Sequence, residues 1–448
     1  MVELVDAPDS KSGGSNTVRV RVSLRPPIKN YKLYMFKSFN LKIEIFFLVF
    51  LFFILSILVI NSNFVSSFIW KLPILFQDLK TIIKWLECYN LGVNIYETNN
   101  CIETDFNYGK ILLFIPFNES LSFFYTKILP YILIFFSIYY VVKLIKVNNL
   151  KKLVLLTLMI INPSTILLFE RANIDLLIFV IFMFSFYNRI YFINWFLYFY
   201  LTFFKIYPII FFLNIFLEKK RSIRNVTSIF LFILVISLVY LSYNFQDYFF
   251  QLNNLNAAKA GYHYLFSLNS FAKILKYKFQ INYILLILIT YSTFIYLVLK
   301  LFKKINIILD NVLISKVENI IEFKIFITSS VLIIFCYFIF SNIFYREIFL
   351  LGIIPLILKF ESLDKDQKLF KIIINLFLIK LIYSFIYAYF NVNDQIVHVD
   401  GQRIFSNIFL LAISIKSLID FILMIIISAL SIHLVTYLIK SSILFKRK

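Results

Sequence analysis

The sequence is poor in glycine, histidine, cysteine and charged residues, and each shortage excludes a class of protein. Seven Gly and three His among 448 residues argue against glycine-rich phosphate loops and histidine-rich metal sites. Three Cys are too few for a secreted scaffold built on disulfides. Charged residues make up 15% of the chain, against about 25% in soluble domains. This composition excludes a soluble enzyme and a disordered chain.

Apolar residues are correspondingly abundant. They make up 61% of the chain, with 56 Phe, and the mean hydropathy is +0.85. A helix needs about 20 apolar residues to cross a bilayer. We therefore predict an all-α polytopic membrane protein with about 12 transmembrane segments, in a range of about 10–13, and a long first extracytoplasmic loop at 61–122. The candidate segments are 43–60, 123–144, 153–169, 174–187, 190–204, 206–217, 226–243, 282–302, 325–341, 346–359, 370–390 and 415–438.

The positive charge of the chain serves to orient it. The net charge is +21, and Lys and Arg concentrate in every second connection when the N-terminus is placed in the cytoplasm. Cytoplasmic loops of membrane proteins collect these residues. We therefore predict an inner-membrane protein with both termini cytoplasmic, whose partner is the lipid bilayer and not nucleic acid.

Residues 1–34 differ from the rest of the chain. The stretch VRVRVSLRPP within this polar, Ser- and Arg-rich segment resembles the conceptual translation of a transfer-RNA gene. The expectation is that natural translation starts near Met35, so that residues 35–448 form the membrane domain. A disordered cytoplasmic tail is the alternative.

A few charged residues break the orientation pattern and fall in short turns on the extracytoplasmic side. They are Glu170, Arg171, Asp175, Lys205 and the pair Arg346–Glu347. A charge within the hydrocarbon costs about 2.5–3.5 kcal/mol on insertion scales, so an unneeded one should be lost. Three cations among several acids favour a cavity that binds an anion. Ion pairs that only hold helices together, such as Glu170–Lys205 or Asp175–Arg171, are the alternative.

These turns carry motifs that resemble glycosyltransferase family 87, a family of GT-C-type membrane mannosyltransferases. E-R-A-N-I-D at Glu170–Asp175 and K-I-Y-P at Lys205–Pro208 are similar to the family's E-R-G-N-x-D and K-x-Y-P, with Ala172 in place of the usual Gly. The segment from Asp78 to Tyr96 and Y-R-E-I-F-L-L at Tyr345–Leu351 resemble its first loop and its late tyrosine–arginine turn. The resemblance spans roughly residues 43–440.

The resemblance implies a reaction and a set of roles. A polyprenyl-phosphate sugar would donate a hexose, mannose by analogy, to a glycolipid or polysaccharide acceptor without a further cofactor. An acid in the first loop would act as general base, with Asp78 as the best match and Asp105 and Glu87 as competitors. The residues expected at the donor phosphate or sugar are Glu170, Arg171, Asn173, Asp175, Lys205, Tyr207, His263 and Arg346.

The sequence leaves alternatives open for the roles of several residues and for the function. Asp78 could instead cap a helix at the membrane surface, and Glu170, Asn173 and Asp175 could cap the helix that starts at Ile174, since such residues favour helix N-termini. Cys88 and Cys101 share the first outside loop, where an oxidising periplasm would permit a disulfide, although two free thiols are possible. His398 and Asp400 suggest a metal pair by type, but no metal-ligand spacing is present and we predict no metal site. A transporter or flippase, or a polymerase of lipid-linked glycans, is the alternative function.

Overall fold

The computed structural model describes most of the membrane domain. The described residues are 75–95, 101, 106, 108–147, 149–205, 207–217, 265–279, 282–309, 311–318, 320–339, 342–363, 368–393, 397–399, 402–404 and 406–445, with isolated positions within 46–57 and 231–242. All of them belong to one compact unit, residues 44–448. The extension predicted at 1–34, the span predicted at 43–60 in part and the span predicted at 226–243 in part lie outside the described residues.

The described chain is predominantly helical. Its α-helices are α1 (Gln77–Asn90), α2 (Glu119–Phe123), α3 (Leu129–Ile145), α4 (Leu150–Ile160), α5 (Pro163–Arg171), α6 (Ile174–Tyr187), α7 (Tyr191–Phe204), α8 (Leu213–Phe216), α9 (Leu268–Phe279), α10 (Tyr283–Ile308), α11 (Asn311–Ser315), α12 (Ile321–Ile339), α13 (Ile354–Leu363), α14 (Lys368–Asn393) and α15 (Asn407–Phe445). Short 3₁₀-helices cover Lys110–Phe114, Tyr207–Phe212 and Phe344–Gly352, and a π-helical turn at Phe124–Ile128 joins α2 to α3.

Four short strands form two antiparallel pairs. Strand β1 (Leu265–Phe266) pairs with β2 (Asn342–Ile343), and Phe266 lies opposite Asn342. Strand β3 (Val397–Val399) pairs with β4 (Gln402–Ile404). The first pair matters for the site, because it places Leu265 and Phe266, from the connection between the predicted spans 226–243 and 282–302, beside the start of the 3₁₀-helix Phe344–Gly352.

Several helices have the length and composition of membrane spans. Within the described residues five qualify, and α4 with α5 forms a sixth if this pair, bent by 47°, counts as one span. In α10, only 22% of the most apolar window is buried inside the protein, so most of its apolar surface faces outward. Such a surface suits a lipid environment. The structure is therefore that of a helical, membrane-embedded protein, and the number of about 12 spans stays a prediction.

Asparagine side chains begin many of these helices. Asn149, Asn162, Asn173 and Asn282 each accept a hydrogen bond from a backbone N–H two or three residues further on. Asn is among the preferred N-cap residues because its oxygen satisfies an amide that lacks a helical partner. Helices α5 and α6 are therefore separate elements, with the E-R-A-N-I-D motif at their junction.

Phenylalanine rings pack the interior beside this junction. Phe182 of α6 stacks on Phe211 at a centroid distance of 4.7 Å, and Phe349 meets Phe182 at 5.9 Å. Phe182, Phe211 and Phe349 are fully buried. These contacts hold α6, the 3₁₀-helix Tyr207–Phe212 and the 3₁₀-helix Phe344–Gly352 together, and each of those three elements carries one predicted site residue.

Candidate functional site

The side chain of Asp175 is the centre of a polar cluster inside the apolar bundle. It is completely buried, and its Oδ1 accepts hydrogen bonds from Lys205 Nζ at 2.6 Å and from Tyr207 Oη at 2.6 Å. Its Oδ2 accepts one from Arg346 Nε at 3.2 Å. A buried carboxylate is tolerated when charged and polar groups satisfy it in this way. Three sequence-predicted residues, Lys205, Tyr207 and Arg346, thus donate to the carboxylate of a fourth, Asp175.

Breaks in regular helix bring these side chains to Asp175. Helix α7 ends at Phe204, and Lys205 has an extended backbone with φ −146° and ψ 146°. A 3₁₀-helix starts at Tyr207, directly before Pro208, whose ring removes a backbone N–H donor. Lys205 and Tyr207 can therefore both reach Asp175, as expected for a broken helix at K-I-Y-P.

Asn173 connects Asp175 to Asp78 at the start of α1. Its Oδ1 caps α6 by accepting from the Asp175 N–H at 3.0 Å, and it also accepts from Lys205 Nζ at 3.3 Å. Its Nδ2 donates to Asp78 Oδ2 at 2.6 Å. Asn173 therefore caps α6, as the sequence allowed, and the same side chain contacts Asp78 and Lys205.

Asp78 lies in the first turn of α1, where a negative charge is favoured by the helix dipole. Arg171 Nε lies 3.7 Å from its Oδ1. The start of α1 is held against the E-R-A-N-I-D turn, because the Phe76 N–H donates to the Glu170 carbonyl at 2.8 Å. The start of α1 and this turn, 95 residues apart at Asp78 and Asn173, therefore pack together.

We call the seven residues Asp78, Arg171, Asn173, Asp175, Lys205, Tyr207 and Arg346 the Asp175 cluster. Asp175 has an exposed side-chain fraction of 0%, whereas Lys205 has 14%, Arg171 and Arg346 18% and Asp78 20%. The central carboxylate of Asp175 is therefore inaccessible to solvent, whereas the other four charged side chains of the cluster are partly exposed. Three cations against two carboxylates leave this set with a formal charge of +1.

Aromatic rings support two of the cations. The Arg346 guanidinium lies 4.9 Å from the ring centroid of Tyr207, and Lys205 Nζ lies 5.2 Å from that of Tyr108. Tyr108 lies in the long loop predicted at 61–122, and Gly109 N donates to the Phe204 carbonyl at 3.3 Å. Cation–π contacts of this kind stabilise a positive charge that is partly removed from water.

The remaining predicted residues are distributed differently. Glu170 is buried beside the cluster, with 2% exposure. Glu87 lies on α1 about 13 Å along the helix from Asp78, in an exposed pair with Lys84 at 2.9 Å, so the structure does not bring it to the cluster. Asp105, His263 and Asp400 lie outside the described residues. For His398 only the backbone, in β3, is described.

A disulfide joins Cys88 of α1 to Cys101, with Cα atoms 6.1 Å apart. Cys88 is fully buried on the core face of α1. The bridge therefore attaches the following loop to the helix that carries Asp78.

A second buried charge cluster was not foreseen from the sequence. Lys380 of α14 pairs with Glu347 at 3.0 Å and with Asp420 of α15. Lys416 of α15 pairs with Glu347 at 3.3 Å and with Asp420 at 2.8 Å. All four side chains are buried, at 4–9% exposure. We call Glu347, Lys380, Lys416 and Asp420 the lysine–acid quartet.

The charges of the quartet balance, and one aromatic ring lies near both ammonium groups. Two ammonium groups face two carboxylates, and each ammonium contacts both acids. Phe266 of β1 lies 5.5 Å from Lys380 Nζ and 6.0 Å from Lys416 Nζ. Three members of the quartet, Lys380, Lys416 and Asp420, lie inside the apolar runs 370–390 and 415–438, and this was the signal available in the sequence, since such charges are costly unless they are paired.

No group of three or more His, Cys, Asp or Glu side chains that could hold a metal ion occurs within the described part of the chain. The carboxylates that the structure does bring together face Lys and Arg.

Comparison with protein-family models, with curated proteins and with solved structures found no match.

Proposed function

We propose that this chain is a GT-C-type membrane glycosyltransferase. It transfers a hexose, mannose in the family it resembles, from a polyprenyl-phosphate donor to a glycolipid or polysaccharide acceptor. The reaction takes place on the extracytoplasmic face of the inner membrane, in a bundle of about 12 spans with both termini in the cytoplasm. The observation that carries the proposal is the convergence of Asp78 with the cations of the Asp175 cluster.

Asp78 has the position that a general base needs. It is partly exposed, one of its oxygens accepts a hydrogen bond from Asn173, and Arg171 Nε lies 3.7 Å from the other oxygen. In the proposed reaction Asp78 takes the proton of an acceptor hydroxyl. The hydroxyl oxygen attacks the anomeric carbon of the donor, the bond from that carbon to the phosphate oxygen breaks, and polyprenyl phosphate leaves.

The leaving phosphate develops negative charge, which fixed cations stabilise. Arg171, Lys205 and Arg346 are the proposed partners, because their side chains are 14–18% exposed and can contact an anion at the edge of the cluster. Asp175 contributes by orienting Lys205 and Arg346, because a carboxylate bonded to both fixes where their charges lie. The structural pairing and the anion site that the sequence offered as alternatives are compatible in this arrangement.

The substitution Asp78→Asn tests the proposal. It keeps the shape and the hydrogen bond from Asn173 but removes the base, so we expect sugar transfer to fall about 10²–10⁴-fold. Transfer is measured in vesicles that contain the purified protein, a polyprenyl-phosphate hexose and a glycolipid acceptor. Glu87→Gln on the same helix is the matched control and should retain activity. A turnover of Asp78→Asn equal to that of the unmodified protein would remove Asp78 from the mechanism.

The lysine–acid quartet favours a second candidate, transport of a lipid-linked glycan. Paired ionisable side chains inside membrane helices are a feature of ion-coupled transporters. The same vesicles separate the two functions by their products. A transferase releases polyprenyl phosphate as the acceptor gains a sugar, whereas a transporter moves the sugar across the bilayer while it stays attached to its carrier.

A further inference from the structure

A polar cavity lies at the opposite end of α6 and α7 from the Asp175 cluster. Its volume is about 230 Å³, and it is bounded by the end of α6, the start of α7, α8 and the start of α12. Helix α6 has 14 residues, so the cavity lies about 20 Å along the helix from Asp175. The cavity is therefore separate from the site proposed for sugar transfer.

Two cations and no acid are among the described residues that line this cavity. The cations are Arg189, in the α6–α7 turn, and Lys324, in the first turn of α12. Within the described parts of the chain neither has a carboxylate oxygen within 4.0 Å. The acid beside them in sequence, Glu322, pairs with Lys146 at 3.7 Å. The positive charge at the cavity is consequently not compensated by the described part of the protein.

A chain of hydrogen-bonded side chains fixes the floor of the cavity. Tyr198 Oη donates to Ser185 Oγ at 2.7 Å, and Asn214 Nδ2 donates to Tyr198 Oη at 3.0 Å. Thr328 Oγ1 donates to Asn214 Oδ1 at 2.6 Å, which ties α12 to α8. These four side chains are buried. A buried polar network with its members satisfied holds one geometry, so the cavity is preformed.

Asparagine side chains also fix the α6–α7 turn beside the cavity. Asn194 Nδ2 donates to the Ser185 carbonyl at 2.9 Å, and Asn188 Nδ2 donates to Asn194 Oδ1 at 2.9 Å. Asn188 Oδ1 accepts from the Ile190 N–H at 3.1 Å, which closes the turn that carries Arg189. Because the turn is fixed at both ends, Arg189 is presented from a defined backbone position.

The rim of the cavity has the composition of a membrane interface. Ile190, Phe192 and Phe196 beside it are exposed at 57%, 73% and 58%. Tyr191 and Trp195 belong to the lining, and Tyr and Trp concentrate at the level of lipid headgroups. A ligand in the cavity would therefore reach both the cations and a bilayer surface.

We propose that this cavity binds a phosphate group supplied by the headgroup of an anionic phospholipid, on the side predicted to be cytoplasmic. Basic pockets between membrane helices on that side suit anionic headgroups. Arg189 and Lys324 contact the phosphate, the amide and hydroxyl groups of the floor meet the polar part of the headgroup, and the exposed apolar residues contact the acyl chains.

Native mass spectrometry of the intact protein in detergent, titrated with phosphatidylglycerol, tests the assignment. We expect retained phosphatidylglycerol, and we expect the double variant Arg189→Gln/Lys324→Gln to weaken its binding about tenfold or more, since each cation near an anionic headgroup favours binding. The matched control is Lys303→Gln/Lys304→Gln on α10, which removes two exposed cations expected on the same side and should leave the affinity unchanged. Thermal unfolding without added lipid checks that both double variants are folded.

Two further probes identify the source of the phosphate. Phosphatidylcholine at the same concentration should not be retained at this site. Glycerol 3-phosphate should not displace phosphatidylglycerol, and displacement at equal concentration would overturn the lipid assignment in favour of a soluble phosphate ester. Equal weakening in the two double variants would also overturn the proposal, because the lipid would then be responding to surface charge in general.

Discussion

Removing one member of the lysine–acid quartet should destabilise the protein strongly, although it removes a charge from an apolar environment. The variant Lys380→Met leaves Glu347 and Asp420 with a single ammonium, that of Lys416. Breaking a buried pair in this way costs about 3–5 kcal/mol, because an uncompensated charge stays buried. If Lys380 were an unpaired lysine in lipid, its removal would instead stabilise the inserted protein by about 2.5–3.5 kcal/mol. The two descriptions therefore predict opposite signs.

A double-mutant cycle sharpens this test. Asp420→Asn alone should also destabilise, because it leaves Glu347 as the sole acid beside two ammonium groups. In Lys380→Met/Asp420→Asn the remaining Lys416–Glu347 pair, at 3.3 Å, is neutral again. We expect the double variant to lose about 1–3 kcal/mol less than the sum of the single variants, as for residues in one ion-pair network.

The free energy of unfolding can be measured in mixed micelles as the fraction of denaturing detergent rises, with helix content followed by circular dichroism. Lys440→Met is the matched control, since it removes an exposed lysine from the same helix as Asp420 and should change the free energy little. Strictly additive effects of Lys380→Met and Asp420→Asn, or a stabilising Lys380→Met, would refute the quartet as a coupled unit.

Two further predictions concern the elements that carry the site. Gly352→Ala should lower the unfolding temperature, because a Cβ at this position would overlap the Ser329 side chain on α12; an overpacked core loses about 1–3 kcal/mol. Adding Ser329→Gly to that variant should recover most of the loss, and a failure to recover would show that the contact is not the cause. Replacing Cys88 and Cys101 together by Ser should cost about 2–4 kcal/mol, the range for closing a short loop. Peptide mapping without reductant that finds both thiols free in the unmodified protein would contradict this expectation.

The sequence predicted the membrane-embedded helical class and which turns carry polar chemistry. Charge and hydropathy alone were enough, because costly charges at predicted span ends stand out against an apolar background. The pairing inside the Asp175 cluster was not predictable. Glu170–Lys205 and Asp175–Arg171 were the suggested pairs, whereas Asp175 contacts Lys205 and Arg346, and Arg171 lies beside Asp78. Partner choice depends on where α5 ends and α6 begins, which hydropathy does not resolve.

The lysine–acid quartet was missed for a related reason. The charges that stood out in the sequence were those in turns, whereas the long apolar runs at 370–390 and 415–438 were predicted simply as membrane spans. Lys380 lies near the middle of α14, and Lys416 and Asp420 lie one helical turn apart on α15. Spacing of i and i+4 places the latter two on one face, which was readable from the sequence. That Lys380 and Glu347 face them depends on the tertiary packing of three elements.

The two charge clusters share one short element, the 3₁₀-helix Phe344–Gly352. Arg346 and Glu347 are consecutive residues of the 3₁₀-helix Phe344–Gly352, and with three residues per turn their side chains leave the axis about 120° apart. Arg346 reaches Asp175, while Glu347 reaches Lys380 and Lys416. A displacement of Glu347 therefore moves the backbone that positions Arg346. By this argument the quartet has a consequence beyond stability, because it anchors the segment that places one of the three cations of the proposed donor site.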